Sequence, residues 1–274
     1  MVSLELEARL EHLLSTAQAE TADIDLFAPL PEREECPVCM IPLPLKESEV
    51  AFKLCCGKMI CVGCVHKSLN TDRKNGVPDH KLKCVFCQQK LISISNNNTK
   101  LIKKLMKKKN PHAFMSMASN YRTGKEGVIQ SDTRALEMYI SAAELGDTEA
   151  FGNIGLAYEL GDVVEQNISK SLEFYEVSAK KGSLVAHKHL ASFLGNKGDI
   201  LESIQHLKIT ACAGDKHSMD YLMEVYKDNL LSKEELTKTL HAFQKCTNNM
   251  KSKDRDDARV TREKRRQQLI DNPT

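Results

Sequence analysis

The chain has 274 residues, 41% of them hydrophobic and 28% charged, with a formal net charge of +2. That balance is too near neutral to define a polyanionic or polycationic partner, and no apolar run approaches the roughly 20 residues of a membrane-spanning helix. The length leaves room for more than one domain in a chain expected to be water-soluble, with no membrane attachment.

Residues 1–30 read as an amphipathic helix followed by a linker. Leu6, Leu10, Leu13, Leu14 and Ala17 recur at the spacing of one helical face. Ser3 is placed to cap this helix, and Glu5 and Glu7 sit favourably in its first turn. A stripe of barely two heptads is expected to pack on a neighbouring domain; the sharper alternative is a short self-associating helix.

Residues 31–95 hold eight of the ten cysteines. They come as Cys36 and Cys39, the adjacent Cys55 and Cys56, Cys61 and Cys64, and Cys84 and Cys87, with 15 residues between the first two pairs and 19 between the last two. Structural zinc sites are closed shells of four ligands, with sulfur at about 2.3 Å, so four pairs of thiolates suit two zinc ions per chain. A disulfide framework needs an oxidising compartment, yet Met1 to Glu20 is acidic and amphipathic, not a basic segment followed by an apolar run. A redox Cys-x-x-Cys accounts for one pair, not four. The expected setting is therefore reducing and intracellular, cytoplasmic or nuclear. Ile41 to Leu45, with two prolines, is expected as a metal-held loop. Val62–Asn70 fits a short helix, and residues 70–81 fit loops. So few large apolar residues predict a module that unfolds without metal.

The order of these pairs resembles a RING-type zinc finger, whose sites interleave. The resemblance implies Cys36, Cys39, Cys61 and Cys64 in one site and Cys55, Cys56, Cys84 and Cys87 in the other. Lys58 stands where most RINGs carry a histidine ligand, and an ammonium cannot ligate. The stretch from Cys56 to Cys64 is instead similar to the all-cysteine RING subclass. The missing residue between Cys55 and Cys56 is a departure, because consecutive side chains of an extended chain point to opposite faces. Gly57 is placed to permit the bend that would bring both to one ion. His80 and His66 are the competing fourth ligands.

Residues 96–110 read as a linker with six lysines between Lys100 and Lys109. Leu101, Ile102, Leu105 and Met106 interrupt the charge at helical spacing, which predicts a basic helix with its lysines in water. Nucleic-acid binding is the alternative, disfavoured because no aromatic residues interleave for base stacking.

Residues 111–246 repeat. Ala113, Met117, Ala118 and Tyr121 recur as Ala150, Ile154, Gly155 and Tyr158, as Ala186, Leu190, Ala191 and Leu194, and as Ser218, Leu222, Met223 and Tyr226. A second series, from Arg134 to Asp147, recurs from Lys170 to Ser183. Each unit reads as a helical hairpin, with Ser131 and Asn167 as N-caps and Gly146, Gly182 and Gly214 as left-handed stops. A loop at Asn196 to Ile200 shortens the third unit, and Ser232 with Glu235 makes a capping box. Units that cannot bury their faces alone stack into an all-α solenoid. The pattern resembles Sel1-like repeats, relatives of the tetratricopeptide class, with Tyr139 and Tyr175 where the family has tryptophan. That resemblance implies an adaptor surface for protein. Cys212 and Cys246 read as small buried hydrophobes, and residues 247–274 as a charged, solvated helix or tail.

The expected architecture is thus a small zinc-stabilised RING-like α+β module joined to a Sel1-like solenoid. No nucleophile–base pair, phosphate loop or carboxylate cleft stands out, so neither catalytic side chains nor an organic cofactor are expected. The combined resemblance implies a ubiquitin ligase that docks a ubiquitin-conjugating enzyme through Val38, Val85 and Phe86 and selects its substrate with the repeats. Val85 stands where many active RINGs have proline, and Gln88 where they have a basic residue. The alternative is a non-enzymatic scaffold with a structural zinc module.

Overall fold

The computed structural model describes residues 3–91 and 98–271, which form twelve α-helices and one two-stranded hairpin. They fall into two units, each assembled from two stretches of chain. Met1–Pro31 joins Asn98–Gln244 in the first; Glu32–Asn97 joins Lys245–Thr274 in the second.

The first unit begins with α1 (Leu4–Glu20), capped by Ser3, whose hydroxyl accepts from the Leu6 amide at 3.3 Å. The five apolar residues of the expected stripe are all buried. They share a core with α5 (Asp132–Glu144) and α7 (Ile168–Lys180), so the helix lies on the repeats. The lysine-rich segment is a helix, α3 (Asn98–Lys107), which buries Ile102 and Leu105 and leaves its lysines exposed.

The repeats are antiparallel hairpins. α4 (Pro111–Thr123) pairs with α5, α6 (Thr148–Leu160) with α7, and α8 (Leu184–Lys197) with α9 (Ile200–Cys212). α10 (Lys216–Lys227) and α11 (Lys233–Asn249) follow. Between hairpins the chain turns through three residues, of which the last two set the geometry. Gly146, Gly182 and Gly214 take φ of 88°, 101° and 98° and end the preceding helices. The next residue caps the following helix: Asp147, Ser183 and Asp215 accept from the amides of Ala150, Ala186 and Ser218 at 3.1, 3.1 and 2.9 Å. An αL residue is nearly free for glycine and costs other residues about 1–2 kcal/mol, which explains the Gly-Asp and Gly-Ser dipeptides at these joints. Ser131 and Asn167 cap as expected. Gly155 serves packing: a Cβ there would sit 3.1 Å from the Ser171 carbonyl and the Tyr175 ring, so α6 and α7 meet almost backbone to backbone.

Three expectations need correction here. Met223 and Tyr226 of the fourth unit are exposed, because α10 turns Met219, Leu222 and Val225 inward against Leu231 instead. Cys212 and Cys246 are partly exposed rather than buried. The third unit's connection is shorter than Asn196 to Ile200: α8 continues to Lys197, leaving Gly198 and Asp199 between the helices.

The second unit is built on a hairpin of β1 (Val50–Lys53) and β2 (Lys58–Cys61), antiparallel with Val50 opposite Cys61 and Lys53 opposite Lys58. α2 (Val62–Lys74) follows without a loop and runs one turn beyond Asn70, so residues 70–74 are helical where a loop was expected. The C-terminal segment, expected as a solvated helix or tail, is α12 (Lys253–Asp271), packed along α2 with Ala258 buried. Among the described residues of both units, no helix is long and apolar enough to cross a membrane.

Candidate metal centres

The cysteine pairs sit on three kinds of local structure. Cys36 and Cys39 lie in a tight knuckle: the Met40 amide donates to the Cys36 carbonyl, the Cys36 amide to the Ile41 carbonyl, and the Leu43 amide to the Glu34 carbonyl. Cys84 and Cys87 lie in its duplicate. Gln88 donates to Cys84, Cys84 to Gln89, and Leu91 to Leu82, each at the position reached by moving from Cys36 to Cys84. Met40 and Gln88 both take positive φ, 55° and 59°. The chain therefore uses one cysteine-bearing turn twice, with almost no side chains in common beyond the cysteines.

Cys55 and Cys56 occupy the β1–β2 turn. There the Cys56 and Gly57 amides both donate to the Lys53 carbonyl, and Gly57 takes a φ of 70°. This bend answers the geometric objection to adjacent ligands, leaving the two sulfurs 4.0 Å apart. Cys61 ends β2 and caps α2, and Cys64 lies in the first turn of α2. The hairpin thus carries one cysteine pair at its turn and meets the other at its open end, separated by a strand of about 13 Å.

Sulfur positions follow from these supports. Sγ atoms of Cys36, Cys39, Cys61 and Cys64 lie within 4.8 Å of one another, as do those of Cys55, Cys56, Cys84 and Cys87. Contacts of 3.9 Å (Cys36–Cys64), 3.8 Å (Cys39–Cys61) and 3.5 Å (Cys55–Cys87) are far longer than a disulfide. A tetrahedron of sulfurs about 2.3 Å from a central ion has edges of about 3.8 Å, so the donor set fits a four-coordinate metal. Each group could hold one ion. His80 is exposed and belongs to neither group, and His66 bonds Asn70 instead.

The electrostatics agree with that fit. Burial pushes the Cys36 thiol up, but amides of Cys39, Cys61 and Val38 outweigh it and hold the group at about 7. Cys84 behaves alike: burial is opposed by the Cys87 and Phe86 amides, again giving about 7. Burial raises Cys39, Cys55, Cys56 and Cys64. Each group thus has one sulfur that ionises more readily than the raised thiols beside it, as a thiolate ligand would need to. Few aliphatic side chains support the unit: Leu43 and Ile60 are buried beside the first cysteine group, with Val50, Met59, Val65 and Val85 around them, and Leu82 and Ala258 are buried elsewhere.

Of the residues expected to dock a partner, Val38 and Phe86 are exposed, at 38% and 42%, on the tips of the two knuckles. Val85 is half-buried against the first site's cluster. Met40, missed in the sequence, is more exposed than either. Sequence reasoning also missed a buried pair in the repeats. His187 and His206 meet Nδ1 to Nδ1 at 2.8 Å, one donating and one accepting, and burial lowers both to about 4. A groove of 240 Å³ in the same unit is lined by Arg122, Asp132, Tyr139, Asn153, Leu160 and Asp162, among others.

The fold and these sites define a class: an all-helical repeat array, two hairpins of which match the Sel1 repeat, in a chain with two tetracysteine clusters. The Sel1 repeat model matches residues 113–147 and 152–183, the α4–α5 and α6–α7 hairpins. The chain is similar to a Sel1 repeat protein from Oxalobacter formigenes, at 24% identity over 67% of this chain and 72% of that one, with a TM-score of 0.48. It is also similar to a protective antigen present in uropathogenic Escherichia coli strains that displays an SLR fold. There the identity is 22%, over 68% of this chain and 38% of that one, with a TM-score of 0.44. No curated protein matches the chain, and no RING family model matches the cysteine-rich unit.

Proposed function

We propose that residues 31–95 are a RING-type module holding two zinc ions, and that the chain is a ubiquitin ligase whose Sel1 repeats, residues 111–246, capture the protein to be modified. The observation that carries this reading is the interleaving of the pairs, first with third and second with fourth, across a single hairpin. Zinc in these closed four-sulfur shells supplies cross-links and leaves no position for a substrate. The chain's own residues do the rest. Val38 and Phe86 offer apolar side chains at the two knuckles to a ubiquitin-conjugating enzyme, with Val85 half-buried against the first site's cluster. The repeats offer grooves such as the one beside Tyr139, where Arg122, Asp132 and Asp162 supply both signs of charge. No side chain of the ligase reacts; the rate gain comes from holding two reactants together. Eight cysteines kept reduced fit a cytoplasmic or nuclear setting.

A second reading, a non-enzymatic scaffold, is favoured by Gln88, a neutral side chain in the left-handed region just after the last cysteine. The test uses the full chain with ATP, ubiquitin, activating enzyme and a panel of conjugating enzymes, scored for self-modification. Ligase activity, abolished by Val38→Arg with both zinc ions retained, is the expected result. A zinc-loaded protein inactive with every conjugating enzyme establishes the scaffold.

A further inference from the structure

Arg255, in the first turn of α12, sends its side chain to the first cysteine group. Its Nη1 donates to the carbonyls of Pro42 at 2.8 Å and Met250 at 2.9 Å. Its Nη2 donates to the Ile41 carbonyl at 3.2 Å and faces the Cys39 sulfur at 3.8 Å. Ile41 and Pro42 are the residues that close the first knuckle. The backbone of the same residue covers the site's other ligand pair. A methyl group on Gly63, between Cys61 and Cys64, would meet the Arg255 amide nitrogen at 2.8 Å and its Cα at 2.9 Å. Arg255 therefore bridges both cysteine pairs of one site, across 216 residues of sequence to Cys39.

The charge around it is unusual. Arg255 forms no ion pair with a carboxylate among the described residues, although it is partly buried and its Nε is buried without a hydrogen-bond partner. Arg33, also partly buried, lies close by and donates to the Pro44 carbonyl at 3.1 Å. Burial lowers the Arg33 pKa, the nearby Cys246 sulfur opposes that, and the like charge of Arg255 adds to it. Two neighbouring guanidiniums removed from water need a negative partner. Four thiolates around one divalent cation carry a net charge of −2, and a cationic N–H donor to sulfur is the natural complement. Among the described residues, the second knuckle, with the same backbone, has no arginine hydrogen-bonded to it.

We propose that Arg255 is a positioning residue of the site formed by Cys36, Cys39, Cys61 and Cys64, so that metal retention there depends on the C-terminal helix. This inference rests on the two-zinc reading above. It makes the two sites unequal: the first is braced by a distant segment of the chain, the second is held by its own loops.

The experiment measures zinc transfer from the full chain to a colorimetric chelator, with zinc content by elemental analysis and total helicity as the check on folding. Wild-type protein is expected to hold two zinc ions. Arg255→Met should release one of them about 10- to 100-fold faster, the range typical for lost outer-shell contacts, while the other leaves at the wild-type rate. Arg255→Lys should restore part of the retention, since it keeps the charge but not the fork. Asp254→Asn, which loses only the exposed ion pair with Lys67, should behave as wild type. With cobalt in place of zinc, Arg255→Met should shift the sulfur-to-cobalt charge-transfer absorption of one site, because one N–H···S contact is gone. Unchanged release, equal weakening of both ions, or equal effects of Asp254→Asn and Arg255→Met would each overturn the inference. Wild-type protein without metal would overturn the zinc reading itself, and this inference with it.

Discussion

Gly63 offers a sharp test of how the C-terminal helix is seated. It lies in α2 with ordinary helical backbone, so alanine there should gain about 0.5–1 kcal/mol of helix propensity. The added methyl, however, would sit 2.8 Å and 2.9 Å from the Arg255 backbone and 2.9 Å from its Cγ. Ordinary contact begins some half an ångström farther out, and two of the three atoms are backbone that cannot swing aside. Overpacking of this kind costs about 1–3 kcal/mol, and with two backbone atoms in the clash the upper part of that range, about 2–3 kcal/mol, applies, which exceeds the propensity gain by about 1–2 kcal/mol. The strain should fall on α12, which buries only Ala258 among its described side chains and is otherwise tied down by Arg255 and one exposed ion pair. Hydrogen exchange on the full chain should therefore show residues 253–271 opening about 5- to 30-fold more often in Gly63→Ala. Residues 111–227 should exchange as in wild type. Unchanged or slower exchange in α12 would refute the argument.

Alanine at Gly146 and Gly182 should separate backbone strain from collision. Gly146 has open space and a φ of 88°, whereas Gly182 combines a φ of 101° with Pro31 at 2.7 Å. Gly146→Ala should cost about 1 kcal/mol and Gly182→Ala at least about 1 kcal/mol more; equal losses of thermal stability would remove Pro31 from the account. Acid should destabilise the repeats through His187 and His206. Both are held neutral, at about 4, so the unfolded chain binds protons first as pH falls below about 6.5. Stability is then full above pH 6.5 and drops by about 2 kcal/mol per histidine by pH 5. Urea midpoints that fall equally in a His187→Leu/His206→Leu variant would refute this. Chelation should unfold residues 32–91 and leave most of the helical circular dichroism of residues 98–244; loss of most helicity would refute separate units. Cys55→Ser should lower zinc content as Cys84→Ser does, with His80→Ala close to wild type, and the reverse order would move the fourth ligand to His80.

The repeats were legible because packing between stacked hairpins demands small residues and tyrosines at fixed positions, and the 36-residue return of Ala150 as Ala186 exposes that demand. The α1 stripe was legible for the same reason: all five of its apolar residues reach the core. The cysteine groups could be read from spacing, but the duplicate knuckles could not. Their shared geometry resides in backbone hydrogen bonds, and Met40 and Gln88 have no side-chain property in common that announces a positive φ. The docking of α12 was hidden because its contact relies on an arginine and a missing side chain at Gly63, with no apolar periodicity to mark a face. The His187–His206 pair was hidden too. Two neutral imidazoles satisfy each other across separate helices, and neither position carries a local signal.

The distance along the chain between α2 and its partner helix has a consequence for biosynthesis. Lys67 and Asp254 are 187 residues apart, a stretch that takes about 10–40 s to translate at 5–20 residues per second. Throughout that interval the nascent cysteine knuckles stand without Arg255 beside them. The repeats have emerged before the last brace arrives. A chain that stops just before residue 255 therefore has its repeats complete while Cys39, 216 residues upstream, still lacks Arg255.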